Sequence, residues 1–161
     1  MKFKWRLMVL ITFITHQPVF GYDTFPTLDT TDQYGKLLNR ESLFNNNKKH
    51  LIAISMTRKG FERAKKVTTV IQGSYLHKKV SIVMIPNLST VPKFMEGSAK
   101  RSLQWSNAPP VWLDWEHKSA RWSVPSGTDF VWIYVVDKEN NIIAKIDATR
   151  KFSLEDLLMV Q

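Results

Sequence analysis

Asp114, Glu116 and His117 form the best grouping of carboxylates with an imidazole in this chain. Such side chains bind metals or exchange protons. On a strand, alternation would place Asp114 and Glu116 on one face. A metal site needs three or four converging ligands, however, and the sequence does not bring His50 or His77 beside them. We therefore expect no metal site, and a cysteine-independent enzyme that uses these three residues remains an alternative.

The reactive groups that the chain does not contain are equally informative. It has no cysteine, which excludes a thiolate nucleophile, a disulfide and a lipid-modified cysteine. It also has no phosphate-binding loop, dinucleotide fingerprint, nucleophile elbow or zincin motif. We therefore predict no catalytic residue and no cofactor, and we expect no thiol oxidoreductase or peroxidase activity.

Residues 55–60 place two cations where a buried strand leads into a helix. A helix N-terminus with Arg58 and Lys59 beside it favours an anion, although the same residues also fit a solvated basic turn. We predict an anion- or partner-binding site here, formed by Thr57, Arg58, Lys59 and, further along the helix, Arg63.

Tryptophans are dense between residues 105 and 132, and Lys118 and Arg121 are interleaved with them. This composition favours a sugar- or partner-binding face, with core packing as the competing explanation. We assign Trp112 and Trp132 mostly to the core. The residues predicted for the binding face are Trp105, Trp115, Arg121 and Trp122.

The start of the chain resembles an export signal. Three basic residues precede the uncharged apolar run 7–15, which is too short to span a bilayer comfortably, and residues 19–21 match a cleavage pattern. We predict a signal peptide at 1–21 and one domain at 22–161, with an uncleaved anchor as the alternative. The mature protein would be periplasmic or secreted, with no integral membrane span after cleavage.

Charge indicates the kind of partner. Removing the three basic residues of the signal from a formal net charge of +9 leaves the mature chain near +6. An exported basic protein favours an anionic envelope component or an acidic envelope protein, and export makes nucleic acid a poor candidate. The alternative is a soluble protein whose basic surface has no specific partner.

The elements that position these residues begin with a strand, a helix and a strand. Residues 51–55 and 80–85 are short apolar runs, typical of strands buried on both faces of a mostly parallel sheet. Short connections to the helix between them indicate a right-handed crossover. The apolar residues at helical spacing are Phe61, Ala64, Val67, Val70 and Ile71.

The next segments have weaker signals. Residues 22–47 are polar and rich in turn formers, which predicts an extended lead-in with one edge strand. Residues 91–103 predict a helix interrupted by proline and glycine, and residues 111–114 predict a strand.

The C-terminal part has a clearer pattern. The long apolar run 130–136 predicts a central strand, and after a turn at 137–141 residues 142–146 return as its antiparallel partner. Ser153 with Asp156 matches a capping box that opens a final helix. The expected fold is therefore α/β and thioredoxin-like, with a central mixed sheet flanked by helices.

Residues 135–142 resemble the strand, turn and strand of redoxins. Over residues 51–160 the chain resembles the YtfJ family of small periplasmic thioredoxin-like proteins, which have no assigned reaction. The likeness rests on the spacing of the buried strands, Arg58, the Trp105–Ser106 pair, the 137–141 turn and residues 152–156. The resemblance implies a periplasmic thioredoxin-like protein.

Two departures from active redoxins affect the predicted function. Redoxins carry their nucleophilic cysteine at the start of the helix after the first buried strand, where residues 55–60 of this chain have none. They also usually place a cis-proline before the central hairpin strand, where residues 127–130 have no proline and the nearest is Pro125. We therefore expect a redox-inactive binding or accessory module of the envelope. The other alternative is a degenerate peroxiredoxin-like structural subunit of a complex.

Overall fold

The computed structural model describes residues 24–25, 30–39, 48–119 and 129–148. The predicted signal peptide at 1–21, the residues Arg121 and Trp122, the segment 127–128 and the final helix with its capping box lie outside these residues. No helix in the described part of the chain is long and apolar enough to cross a membrane.

A short antiparallel hairpin takes the place of the single edge strand expected near the N-terminus. It consists of β1 (Thr30–Thr31) and β2 (Leu37–Leu38). Its turn includes Gly35, whose φ of +86° is a conformation that glycine adopts without steric cost. The hairpin lies against the segment 111–114, because the Leu113 N–H donates to the Thr31 carbonyl at 3.2 Å.

The predicted strand, helix and strand follow. β3 (Lys49–Ser55) and β4 (Val80–Pro86) pair in parallel, and α1 (Arg58–Gln72) connects them together with a short 3-10 helix at Tyr75–Lys78. Alternate residues of β3 join opposite apolar clusters, so this strand is buried on both faces as its continuous apolar run predicts.

The helix predicted at 91–103 is shorter and divided. A 3-10 turn at Lys93–Met95 precedes α2 (Glu96–Ser102). Pro92 comes directly before the turn, where its fixed φ suits the start of a helix and its missing N–H costs nothing. In place of a continuous strand, the segment 111–114 forms two isolated parallel bridges, from Val111 to Met84 in β4 and from Asp114 to Asn87 directly after β4.

The C-terminal hairpin completes a four-stranded sheet. β5 (Val131–Val136) is antiparallel to β3, and β6 (Ile142–Asp147) is antiparallel to β5, which gives the strand order β4-β3-β5-β6. β3 and β5 are the central strands because their apolar runs have neighbours on both sides. The mixed sheet with helical crossover confirms the α/β thioredoxin-like expectation.

One detail of the predicted core is wrong. Val70 is 54% exposed, and Thr68 occupies the buried face of α1 with its hydroxyl bonded to the Lys65 carbonyl at 3.0 Å. A helical turn of 3.6 residues places position 70 outside the stripe formed by Phe61, Ala64 and Ile71. Trp112 is a core residue as expected, whereas Trp132 is only half-buried.

Candidate functional site

The start of α1 lies at the carboxyl end of β3, where the redoxin resemblance places a reactive thiol. Thr57 caps the helix: its extended backbone leads into the first turn, and its Oγ1 accepts the Gly60 N–H at 3.1 Å. Gly60 is buried, and a Cβ at this position would meet the Phe130 carbonyl oxygen at 3.1 Å. The segment before β5 therefore packs closely against the first turn of α1.

A carboxylate from that segment occupies the helix start. Asp129 accepts a hydrogen bond from Thr57 Oγ1 at 3.2 Å on one oxygen, and its other oxygen lies 3.5 Å from Lys59 Nζ. A negative charge is favourable at a helix N-terminus. An external anion would therefore have to displace the chain's own carboxylate. Sequence reasoning missed Asp129, whose signal was an acidic residue just before the central strand.

The cations predicted for this site lie on its outer side. Arg58, Lys59 and Arg63 are all exposed, and Lys59 is 82% exposed despite its contact with Asp129. An ion pair this open to solvent is worth at most about 1 kcal/mol. The structure thus brings Thr57 and Lys59 together around Asp129, and it leaves a basic helix surface available to a partner.

The predicted aromatic face divides between packing roles. Trp105 is half-buried, with its ring edge-to-face with Phe61 at 6.0 Å and the Lys65 ammonium 4.5 Å from its centroid. Trp115 is also half-buried and packs against the core cluster on the α1 side of the sheet. Trp105 thus lies beside the second turn of α1, close to the basic surface.

Trp132 belongs to a separate group on the other side of the sheet. Its ring stacks on Phe130 at 6.2 Å, and Lys145 Nζ lies 4.2 Å from its centroid. Burial lowers the pKa of Lys145. The group is continuous with the second apolar cluster, which supports a packing role for these aromatic rings.

The carboxylate and histidine cluster does not converge. Asp114 is buried and accepts the Lys118 N–H at 2.8 Å, the Ser119 N–H at 2.7 Å and the Ser119 hydroxyl. Glu116 is exposed and pairs with Lys118. The prediction that Asp114 and Glu116 share one face is therefore wrong, because the chain leaves its extended path after residue 114 and the two side chains diverge.

The histidines are dispersed. His117 has a φ of 57°, and its Nδ1 lies 2.6 Å from the Asn87 side-chain nitrogen. His50 is fully buried on β3, and burial lowers its pKa from 6.5 to about 4. His77 is exposed and donates from Nδ1 to the Ser74 carbonyl at 2.6 Å. Within the described residues no three metal-binding side chains lie together.

A groove that sequence reasoning missed opens at the opposite end of β4. It encloses about 750 Å³ between one face of α1, the start of β4 and residues 105–110. Gln72 donates to the Asn107 carbonyl at 3.1 Å and joins two of its walls. Lys65 and His77 line it, and none of the described lining residues is acidic. The Pro109–Pro110 pair was the available sequence signal.

Comparison with solved structures identifies the fold. Peroxidoxin BcpB from Mycobacterium tuberculosis is similar with a TM-score of 0.59 and 14% identity, over 86% of this chain and 93% of that one. The exposed lipoprotein thioredoxin of Streptococcus pneumoniae has a TM-score of 0.60 and 14% identity, over 84% and 98%. A putative thiol:disulfide interchange protein DsbE from Chlorobium tepidum has a TM-score of 0.57 and 13% identity, over 86% and 92%.

No protein-family model matches the sequence, and comparison with curated proteins finds no match. At these identities the structural likeness carries the fold alone. This chain is a cysteine-free protein with an α/β thioredoxin-like fold, a central mixed sheet flanked by helices.

Proposed function

We propose that this protein is an exported thioredoxin-like binding or accessory module of the cell envelope, without thiol redox activity and related to the YtfJ family. The observation that carries the proposal is the occupied start of α1. Thr57 caps the start of the helix, the region where redoxins have a thiol, and its hydroxyl both donates to Asp129 and accepts from Gly60.

The arrangement around Thr57 does not favour nucleophilic chemistry. A hydroxyl has a far higher pKa than a thiol and needs a neighbouring base of suitable strength. The Asp129 carboxylate instead accepts a hydrogen bond from the Thr57 hydroxyl next to the helix start, and its other oxygen lies beside Lys59. Both oxygens of the carboxylate are thus engaged within the chain, which supports a structural role for the pair.

A binding role uses the exposed cations on the outer side of the helix start. Arg58, Lys59 and Arg63 form a basic surface that suits an anionic envelope component or an acidic envelope protein. Trp105 and Trp115 offer partly exposed rings beside charged groups, a composition common at interfaces. The predicted members Arg121 and Trp122 extend the same proposal to residues outside the described part of the chain.

An envelope location is supported by the predicted signal peptide at 1–21 and by the kind of protein that shares the fold. One structural neighbour is an exposed lipoprotein and another is a thiol:disulfide interchange protein. The metal-dependent enzyme considered from the sequence loses its support, because the Asp114 carboxylate is used by the backbone of residues 118–119.

The test is capture of envelope extract on the immobilised mature chain, residues 22–161, washed at low and high salt. We expect a protein that is retained at low salt and released only in part at high salt, because a packed interface resists screening. The variant R58A/K59A should lose most of this retention. The matched control K36A/K138A removes the same charge from exposed positions outside the α1 surface. Equal retention by both variants would refute the assignment of the binding surface.

A further inference from the structure

Within the described residues, the outer edge of β4 is covered over its second half only. Met84 donates to the Pro110 carbonyl at 3.0 Å and accepts from the Trp112 N–H at 2.7 Å, so its backbone groups point away from β3. Backbone groups alternate in direction along a parallel strand. Those of Ile82 and Val80 therefore point outward as well, towards the groove that both residues line.

Pro110 explains why the ladder stops at Met84. In a parallel pairing, the next bond would run from the N–H of residue 110 to the Ile82 carbonyl, and proline has no N–H. Ala108 instead donates to the Trp105 carbonyl at 3.0 Å, which turns the chain away. Among the described residues, the outward backbone groups of Val80 and Ile82 have no hydrogen-bond partner.

Among the described residues, the charged side chains around this edge are all lysines. Lys65 lines the groove, the exposed Lys78 and Lys79 precede Val80, and no described acidic residue contributes to the lining. Opposite charges across an interface favour association, and like charges oppose it. A second copy of this chain would bring its own basic edge to the groove, so the charge favours an acidic partner over self-association.

We propose that this groove binds an extended acidic segment of a partner protein, which adds to the sheet as a strand beside the first half of β4. Strand addition would satisfy the outward groups of Val80 and Ile82, and the Lys65 ammonium would meet a carboxylate of the segment. A volume of about 750 Å³ is within the range of peptide- and ligand-binding clefts.

This inference rests on the binding function proposed above, because it names the chemistry of a partner. The binding surface is a different one. Arg58 and Lys59 lie at the other end of α1, next to the carboxyl end of β3. The variant R58A/K59A should therefore bind the test peptide as well as wild type does. If the peptide does not bind, the assignment of the α1 surface as a binding surface is unaffected. If envelope capture fails, the assignment of the groove is unaffected.

The experiment uses synthetic pentapeptides with alternating valine and charged residues, with blocked ends, titrated into the mature chain by calorimetry and NMR. We expect the glutamate peptide to bind at least about tenfold more tightly than its lysine counterpart. In the glutamate peptide, methylation of the backbone nitrogens that would face β4 should weaken binding by a factor of about ten, because the backbone hydrogen bonds to β4 are lost. The Ile82 amide should become protected from hydrogen exchange.

Two variants test the charged contacts on a folded protein. Lys65→Gln should weaken binding of the glutamate peptide several-fold, whereas Lys66→Gln, an exposed neighbour outside the groove lining, should leave it unchanged. Equal binding of the glutamate and lysine peptides, or no binding of either, would overturn the proposal. Binding that survives backbone methylation and leaves the Ile82 amide unprotected would overturn strand addition. A concentration-dependent dimer that the peptide does not dissociate would assign the edge to self-association instead.

Discussion

Acid should destabilise this protein through one buried histidine. His50 lies on the central strand β3 with none of its surface exposed, and burial lowers its pKa from 6.5 to about 4. The unfolded chain therefore binds a proton in a pH range where the folded chain does not, so unfolding becomes easier as the pH falls. The stability contributed by the neutral imidazole is complete above about pH 6.5 and is lost progressively down to about pH 4.

The magnitude follows from the two pKa values. A separation between 6.5 and about 4 corresponds to a total loss of about 3 kcal/mol, of which about 2 kcal/mol falls between about pH 7 and about pH 5. This is a large part of the free energy of unfolding of a typical domain, about 5–15 kcal/mol. A measurable acid transition is therefore expected in the range where exposed carboxylates are still ionised.

The assay is urea unfolding of residues 22–161 between about pH 7 and about pH 4.5, with His50→Gln as the test and His77→Gln as the matched control. His77 is exposed, so the same replacement there controls for the loss of a histidine outside the core. His50→Gln removes the titrating group. Over this pH range the free energy of unfolding of the His50→Gln variant should therefore fall by about 2 kcal/mol less than that of wild type. Parallel curves for wild type and His50→Gln would refute the reasoning.

Three further changes test the start of α1. Asp129→Ala removes the carboxylate bonded to Thr57 and should lower the free energy of unfolding by about 1 kcal/mol in urea titration, and an unchanged midpoint would contradict the contact. Gly60→Ala places a Cβ 3.1 Å from the Phe130 carbonyl oxygen and should destabilise the protein by about 1 kcal/mol. In the control Gly97→Ala the new Cβ meets only the end of an arginine side chain at 3.8 Å, so this change should stabilise α2 by about 0.5–1 kcal/mol. Stability changes of the same sign for both variants in thermal unfolding would be evidence against the close approach at Gly60. In a Thr57→Cys variant the Asp129 carboxylate should keep the thiol pKa high, and adding Asp129→Asn should lower the thiol pKa towards the value favoured by the helix N-terminus. Thiolate absorbance against pH measures the thiol pKa in both variants. Equal thiol pKa values would count against the pairing of residues 57 and 129.

Local patterns predicted most of the described strands and helices, because the spacing of apolar residues within one element decides which of its faces can be buried. A continuous apolar run such as 51–55 requires burial on both faces, and helical spacing of apolar residues requires one buried stripe. The same reasoning failed for Val70, which is exposed, and it predicted a strand at 111–114 where the structure has isolated bridges. Val70 lies outside the stripe that the other apolar residues of α1 form. Residues 111–114 are buried, but their bridges are divided between β4, the residue after it and the N-terminal hairpin, which a local pattern does not show.

The sequence by itself determined the absence of cysteine, the order of most of the described strands and helices and the positive net charge. These follow from composition and from periodicity, which need no knowledge of distant contacts. Only the tertiary structure decided that Asp129 meets Thr57 at the start of α1, that the Asp114 carboxylate caps a turn and that Pro110 interrupts the backbone ladder along β4. Each of these depends on residues that are far apart in the chain or on the path of a loop, and both are set by packing against the sheet.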